Sequence, residues 1–229
     1  LMSAFSSAFA ILFMFWSIVL LLQKISTVKL RDITKSQTIV ILGSAFVGSL
    51  SFAFTDTFWF NAAETEVYAM ATFIMTLMFY LALRWEKDMF KPRGNRWLIL
   101  IAFVIGLSFG IHFMGLLTIP AIGLIYFFKN YEKITVKNFI VANVVSVAVL
   151  LFIFKLMFPN ILRYFSILEL FFVNQIGLPF NSGSIIAGIL LIAGFYYGLK
   201  YTREKGYTQY NTGILCLLFV IIGSSTWLM

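Results

Sequence analysis

Histidine and cysteine each occur once in this sequence, as His112 and Cys216, and there are nine acidic residues against seventeen basic ones. A single cysteine excludes an intrachain disulfide. One histidine beside one cysteine also excludes a zinc site built from those residue types within the chain. Charge itself is scarce, at 11% of residues against about 25% in an average soluble domain. With 61% hydrophobic residues, a soluble core of this length has no way to hide the apolar surface. No repeat of fixed period, low-complexity stretch or Pro-, Gly- or Ser-rich linker divides the chain. Strict alternation of polar and apolar residues, as a lipid-facing barrel requires, is missing too.

What is present is a series of long uncharged runs, the length a bilayer's hydrocarbon core demands. The fold class read from them is all-α, a polytopic transmembrane helical domain. About eight hydrophobic segments are expected, at 1–22, 38–55, 64–83, 97–111, 113–128, 138–157, 184–199 and 211–229, forming one transmembrane domain. The chain opens inside a hydrophobic segment and closes without a tail, so it reads as part of a longer protein. Residues 38–83 as one helix would run about 70 Å, more than twice the hydrocarbon thickness. A turn is therefore expected in the charged stretch between the second and third segments.

Residues 97–128 allow either one long span or a pair turning near His112, and the positive-inside rule chooses the pair. With it, fifteen of the seventeen Lys and Arg fall on one face. They are Lys24, Lys29, Arg31 and Lys35; Arg84, Lys87, Lys91, Arg93 and Arg96; Lys129, Lys133 and Lys137; and Lys200, Arg203 and Lys205. That face is expected to be cytoplasmic. The net charge of +8 then answers anionic lipid headgroups rather than nucleic acid. Residues 55–64, the turn at His112 and a loop at 158–183 go to the opposite face.

The stretch FTDTFWFNAAETEVYAM, residues 54–70, gathers three of the nine carboxylates, Asp56, Glu64 and Glu66, beside Trp59, Asn61 and Tyr68. These acids have three readings: solvated caps or first-turn charges, an ion or proton path, or carboxylates at a catalytic site on the membrane surface. On a regular helix Asn61, Glu64 and Tyr68 share one face, and Glu64 and Glu66 point apart, so helix geometry alone does not choose between the two. His112 reads either as a satisfied structural donor or as a ligand to substrate. Arg163, Ser166 and Glu169 recur at helical spacing among aromatic residues, between Pro159 and Pro179, and fit a short interfacial helix within the loop. The middles of the segments hold Ser, Thr and Asn rather than charge, which suits helix packing better than an ion path. A transporter or a non-catalytic assembly subunit is the alternative.

The quoted stretch, followed by a second span, a basic turn and GLSFGIHFMGLLTIPAIGLIYFF, resembles a bacterial membrane family related to the transmembrane protein O-mannosyltransferases. That family was formerly a domain of unknown function and now belongs to the GT-C glycosyltransferases. Trp59, the Glu66-Val67-Tyr68 triplet, the Gly106, Gly110 and His112 run and the step from Leu117 to Pro120 carry the likeness, whose order of features extends over most of residues 1–229. The resemblance implies an enzyme of the bacterial inner membrane with its site on the extracytoplasmic side. It would move a hexose, mannose by the family's suggestion, from a polyprenyl-phosphate carrier to a Ser or Thr hydroxyl of an exported protein. No metal or further cofactor is implied. The family's main base belongs to an acidic loop motif expected upstream of residue 1, which leaves residues 1–229 inactive on their own. Glu66, with Asp56 and Glu64, would be supporting acids. Trp59, Asn61 and Tyr68 would bind substrate, and His112 with Arg163 would hold the carrier phosphate.

Overall fold

The computed structural model describes residues 1–26, 34–64 and 66–225. Lys29 and Arg31 of the first basic cluster, Thr65 and the last four residues of the eighth segment lie outside the described residues. The chain is an all-helical integral membrane domain. Seven helical stretches among the described residues are long and apolar enough to cross a bilayer. Each of the eight apolar segments is built on a helix; α5 is the one too short to span alone.

Helix α1 (Met2–Ile25) is followed by α2 (Lys35–Ala53), whose start is set by a capping box. Thr34 accepts from the Gln37 N–H at 3.3 Å, and the Gln37 side chain accepts from the Thr34 N–H at 3.0 Å. The short α3 (Asp56–Ala63) and then α4 (Val67–Asp88) come next. Helix α1 packs chiefly along α4, and its first half buries small residues, Ser3, Ser6, Ser7 and Ala10. Small side chains let helix backbones approach where lipid offers no hydrophobic drive for association. Phe13 then reaches α4 on two rings, Phe73 at 6.0 Å and Tyr80 at 5.3 Å. Conversely, Ile39, Val144 and Ile192 stay exposed, as residues facing lipid do.

The turn from α4 to α5 (Arg96–Ser108) is tight. Arg93 takes a left-handed φ of 62°, and a Cβ on Gly94 would collide with the Asp88 backbone oxygen. The mostly buried Asp88 carboxylate staples this turn, accepting from Trp97 Nε1–H at 2.9 Å and from Lys91 Nζ at 2.7 Å. Asp88→Ala is therefore expected to cost about 1–3 kcal/mol, read as a lower melting temperature of the detergent-solubilised protein.

The pair expected from residues 97–128 is present. After α5 the chain turns at residues 109–112, makes a 3₁₀ turn at Phe113–Leu117 and returns as α6 (Thr118–Asn130). Buried Met78, Trp85, Ile101, Ile119 and Val220 form the main core, shared by α4, α5, α6 and the last helix.

The loop expected at 158–183 is helical over most of its length: the helix expected around Arg163, Ser166 and Glu169 is present, but it continues the preceding span instead of standing alone within a loop. Helix α7 (Val136–Leu151) runs through a π turn (Phe152–Met157) into α8 (Phe158–Leu170) and a second π turn (Phe171–Gln175). In the first π turn the Phe158 N–H bonds back to Ile153 O. That slip in register falls just before Pro159, which has no N–H to give, so the helix passes the proline instead of ending there. The whole stretch Val136–Gln175 is 40 residues, about 60 Å if straight and so longer than an upright crossing of the roughly 30 Å hydrocarbon layer needs. Helix α9 (Ser182–Glu204) returns against α8, and α10 (Thr208–Ser225) packs beside α5.

Tertiary contacts bring the ends carrying the basic clusters together. Lys24 on α1 and Lys129 on α6 both reach Glu86 on α4, and Asn95 before α5 donates to Thr212 on α10 at 3.2 Å.

Candidate functional site

The candidate residues collect at the opposite end of the bundle. Phe54 ends α2 and Thr55, in an extended conformation, starts α3, where Asp56 occupies the first turn. A carboxylate there is favoured by the positive end of the helix dipole. Phe58 anchors α3 inward on Phe52 at 4.7 Å. Trp59 turns outward and stacks on Phe54 at 5.5 Å and 16°, with Asn61 half-buried on the next turn.

The regular helix assumed for residues 61–68 does not exist. Glu64 closes α3 and Glu66 opens α4, both with extended backbone (ψ 155° and 156°). The shared face of Asn61, Glu64 and Tyr68 is therefore lost, and so is the helical geometry that set Glu64 and Glu66 apart. The chain breaks where its charges can remain in water instead of being carried into the bilayer. No hydrogen bond or ion pair joins the carboxylates of Asp56, Glu64 or Glu66 to another described residue.

Two turns distant in sequence meet at this rim. Tyr68, on the first turn of α4, lies against the ring of His112 with centroids 5.5 Å apart. His112 caps the 3₁₀ turn: its Nδ1 accepts from the Met114 N–H at 3.1 Å. That bond makes Nδ1 the acceptor nitrogen, so in the neutral ring Nε2 carries the proton and is the donor. Thus His112 is a structural cap through one nitrogen and retains a donor on the other.

The junction of α7 and α8 packs beside the same turn. Phe158 stacks on Phe109 at 4.2 Å, and Phe154 meets Phe113 edge-on at 5.0 Å. Arg163 follows on α8, exposed and without an ion-pair partner among the described residues. No contact joins it to His112. Glu169 is structural: its carboxylate accepts from the Asn181 and Ser184 N–H groups at 2.6 and 2.7 Å and so caps α9.

Hydropathy gave no hint of one further residue here. Ser7 of α1 is buried with its hydroxyl unpartnered among the described residues. It lines a groove of about 360 Å³ shared with Ile11, Phe58, Trp59 and Ala62. A serine in an apolar helix reads as packing, and its neighbours from α3 emerge only on folding. Among the described residues no three His, Cys, Asp or Glu side chains come together as metal ligands.

The sequence model of one family, described as "Protein O-mannosyl-transferase TMEM260 N-terminal domain", matches residues 1–135. The chain belongs to that family. The matched region contains Ser7, Asp56, Trp59, Asn61, Glu64, Glu66, Tyr68 and His112, whereas Arg163 lies beyond it. No curated protein and no solved structure matches the chain. The family's region holds both Tyr68 and His112; the tertiary structure sets the α7–α8 junction beside that rim and packs α7 on α6 and α10 on α5.

Proposed function

We propose that this chain is the membrane part of a GT-C-type glycosyltransferase that moves a hexose, mannose by the family's suggestion, from a polyprenyl-phosphate carrier to a Ser or Thr hydroxyl of an exported protein. The observation that carries this reading is the Tyr68–His112 contact next to Glu66. It sets an acid, a phenol and an imidazole at one membrane-surface rim within the family's matched region.

The chemistry needs two things at that rim. As the acceptor oxygen attacks the anomeric carbon, its proton passes to a carboxylate base, the role that the resemblance gives to the family's acidic loop motif, with Glu66 in support. As the bond from that carbon to the carrier oxygen breaks, the electron pair goes to the phosphate, whose charge needs a donor. Glu66 orients the acceptor hydroxyl through its free carboxylate, and His112 Nε2–H hydrogen-bonds the carrier phosphate, with the Arg163 guanidinium as a cation on the same side. Asp56 and Glu64 flank the entry, while Trp59 and Asn61 face the acceptor or the sugar. The positive-inside rule favours a cytoplasmic position for the lysine-rich end, which supports a rim on the extracytoplasmic side; a bacterial inner membrane is what the resemblance implies. Glu86, the one buried charge among the described residues, sits at the lysine end. That supports surface chemistry over an ion path through the bilayer.

The test uses membranes containing the full-length protein and follows transfer of labelled hexose from polyprenyl phosphate to protein. Glu66→Gln and His112→Ala, at matched expression, are each expected to lower transfer at least tenfold, about 1.4 kcal/mol of transition-state stabilisation. Wild-type transfer that survives both changes unaltered overturns the assignment of this rim. Absence of transfer from every carrier tested overturns the enzymatic reading.

A further inference from the structure

The opposite end of the bundle carries a second built site, independent of the rim and of its chemistry. Gln23 and Lys24 from α1, Glu86 and Lys87 from α4 and Lys129 from α6 surround a cavity of about 250 Å³. Lys24 Nζ donates to Glu86 Oε1 at 2.8 Å, and Lys129 Nζ lies 3.7 Å from that same oxygen. The Glu86 side chain is only 10% exposed, so it is the fixed part of the arrangement and draws two ammonium groups from two other helices onto one carboxylate. Lys87 is exposed and forms no ion pair with a described residue. Three lysines against one glutamate leave the cavity with two formal positive charges to spare.

We propose that this cavity binds the phosphate headgroup of an anionic phospholipid. Like charges held together disfavour one another, and a phosphate diester relieves that repulsion with charge-assisted hydrogen bonds from several ammonium groups at once. The choice of lipid over a free anion rests on depth. The three lysines mark the ends of three spanning stretches, Met2–Ile25, Val67–Asp88 and Phe113–Asn130, which is where the headgroup layer lies. Leu20 and Leu83, one helical turn deeper than Lys24 and Lys87, line the same cavity. They offer apolar contact to the glycerol and the first methylenes of the tails. Basic pockets between membrane helices are suited to anionic headgroups in this way. Bound there, the lipid ties α1, α4 and α6 together at their ends.

The experiment titrates the full-length protein in a neutral detergent with short-chain phosphatidylglycerol, phosphatidylcholine of the same chain length, and inorganic phosphate. Melting temperature and retained lipid in native mass spectrometry are the readouts. Phosphatidylglycerol is expected to raise the melting temperature and remain bound, while the other two do neither. Lys87→Gln and Lys129→Gln are each expected to weaken phosphatidylglycerol binding at least fivefold. Lys137→Gln, at the same end but outside the cavity, is expected to leave it unchanged. Lys87 supports no ion pair, so its variant keeps the fold even if the Lys129 variant does not. Equal stabilisation by phosphatidylcholine, equal stabilisation by inorganic phosphate, or a Lys137 effect as large as that of Lys87 each overturns the proposal.

Discussion

Gly106→Leu is expected to destroy the packing of α5 on α10 and with it most of the folded protein. A Cβ on Gly106 would collide with the Val220 backbone oxygen and lie 2.8 Å from both Gly223 Cα and Ser224 N. The contact is reciprocal, because a Cβ on Gly223 would collide with Phe103 O and come 2.9 Å from Leu107 N. Backbone meets backbone here, so no side chain is available to move aside. In a bilayer, close approach of this kind supplies the dispersion contacts that hold helices together. Forcing the pair apart also strains the Asn95–Thr212 hydrogen bond at its other end. A loss of about 3 kcal/mol or more is expected, seen as aggregation on size exclusion and a lower melting temperature. Gly43→Leu is the control, since a Cβ on Gly43 meets nothing within 4 Å. Equal melting temperatures for the two variants and the wild type would show that α5 and α10 do not pack as described.

The second large effect is expected at His112, where the variants separate its two roles. His112→Ala removes both the cap on Met114 N–H and the Nε2 donor. It is expected to lower transfer at least tenfold, about 1.4 kcal/mol. His112→Asn keeps an acceptor for the cap and loses the reach of Nε2, so it is expected to melt like the wild type yet transfer like the alanine variant. His112→Gln restores a donor near the Nε2 position and is expected to recover part of the rate. Tyr68→Phe retains the ring contact and is expected to change transfer little, whereas Tyr68→Ala frees the imidazole and lowers it. A donor to the carrier phosphate predicts that the loss appears in kcat/KM for the carrier. If the asparagine variant keeps full activity, His112 is a cap alone.

The helices were legible in the sequence because a bilayer imposes a length: charge-free runs of about 20 residues are visible without knowing what they touch. The return of the chain at His112 was legible for a related reason, since only that turn brings the lysine clusters to one side. The break at Glu64–Glu66 was anticipated, but its form was not. A helical wheel drawn through residues 61–68 paired Glu64 with Tyr68, whereas both glutamates sit in extended backbone. Pro159 misled in the other direction. Prolines ordinarily end helices, but a π turn ahead of this one shifts the hydrogen-bond register and lets α7 run into α8.

Contacts between helices were not readable at all. In a membrane the faces toward lipid and toward protein are both apolar, so hydropathy does not distinguish Gly106, which meets Gly223, from Gly43, which meets nothing. A G-x-x-x-G spacing such as Gly106–Gly110 commonly marks tight helix packing, yet Gly110 lies in the turn beyond α5 and the partner of Gly106 is 117 positions along the chain. Tyr68 beside His112, Ser7 beneath Trp59, and Lys24 with Lys129 on Glu86 have the same origin. Composition and charge set the solvent, the apolar segments and the end that carries the lysines, because those depend on transfer into lipid. Which side chains meet depends on how helix surfaces fit, and that is settled only when the backbones come together.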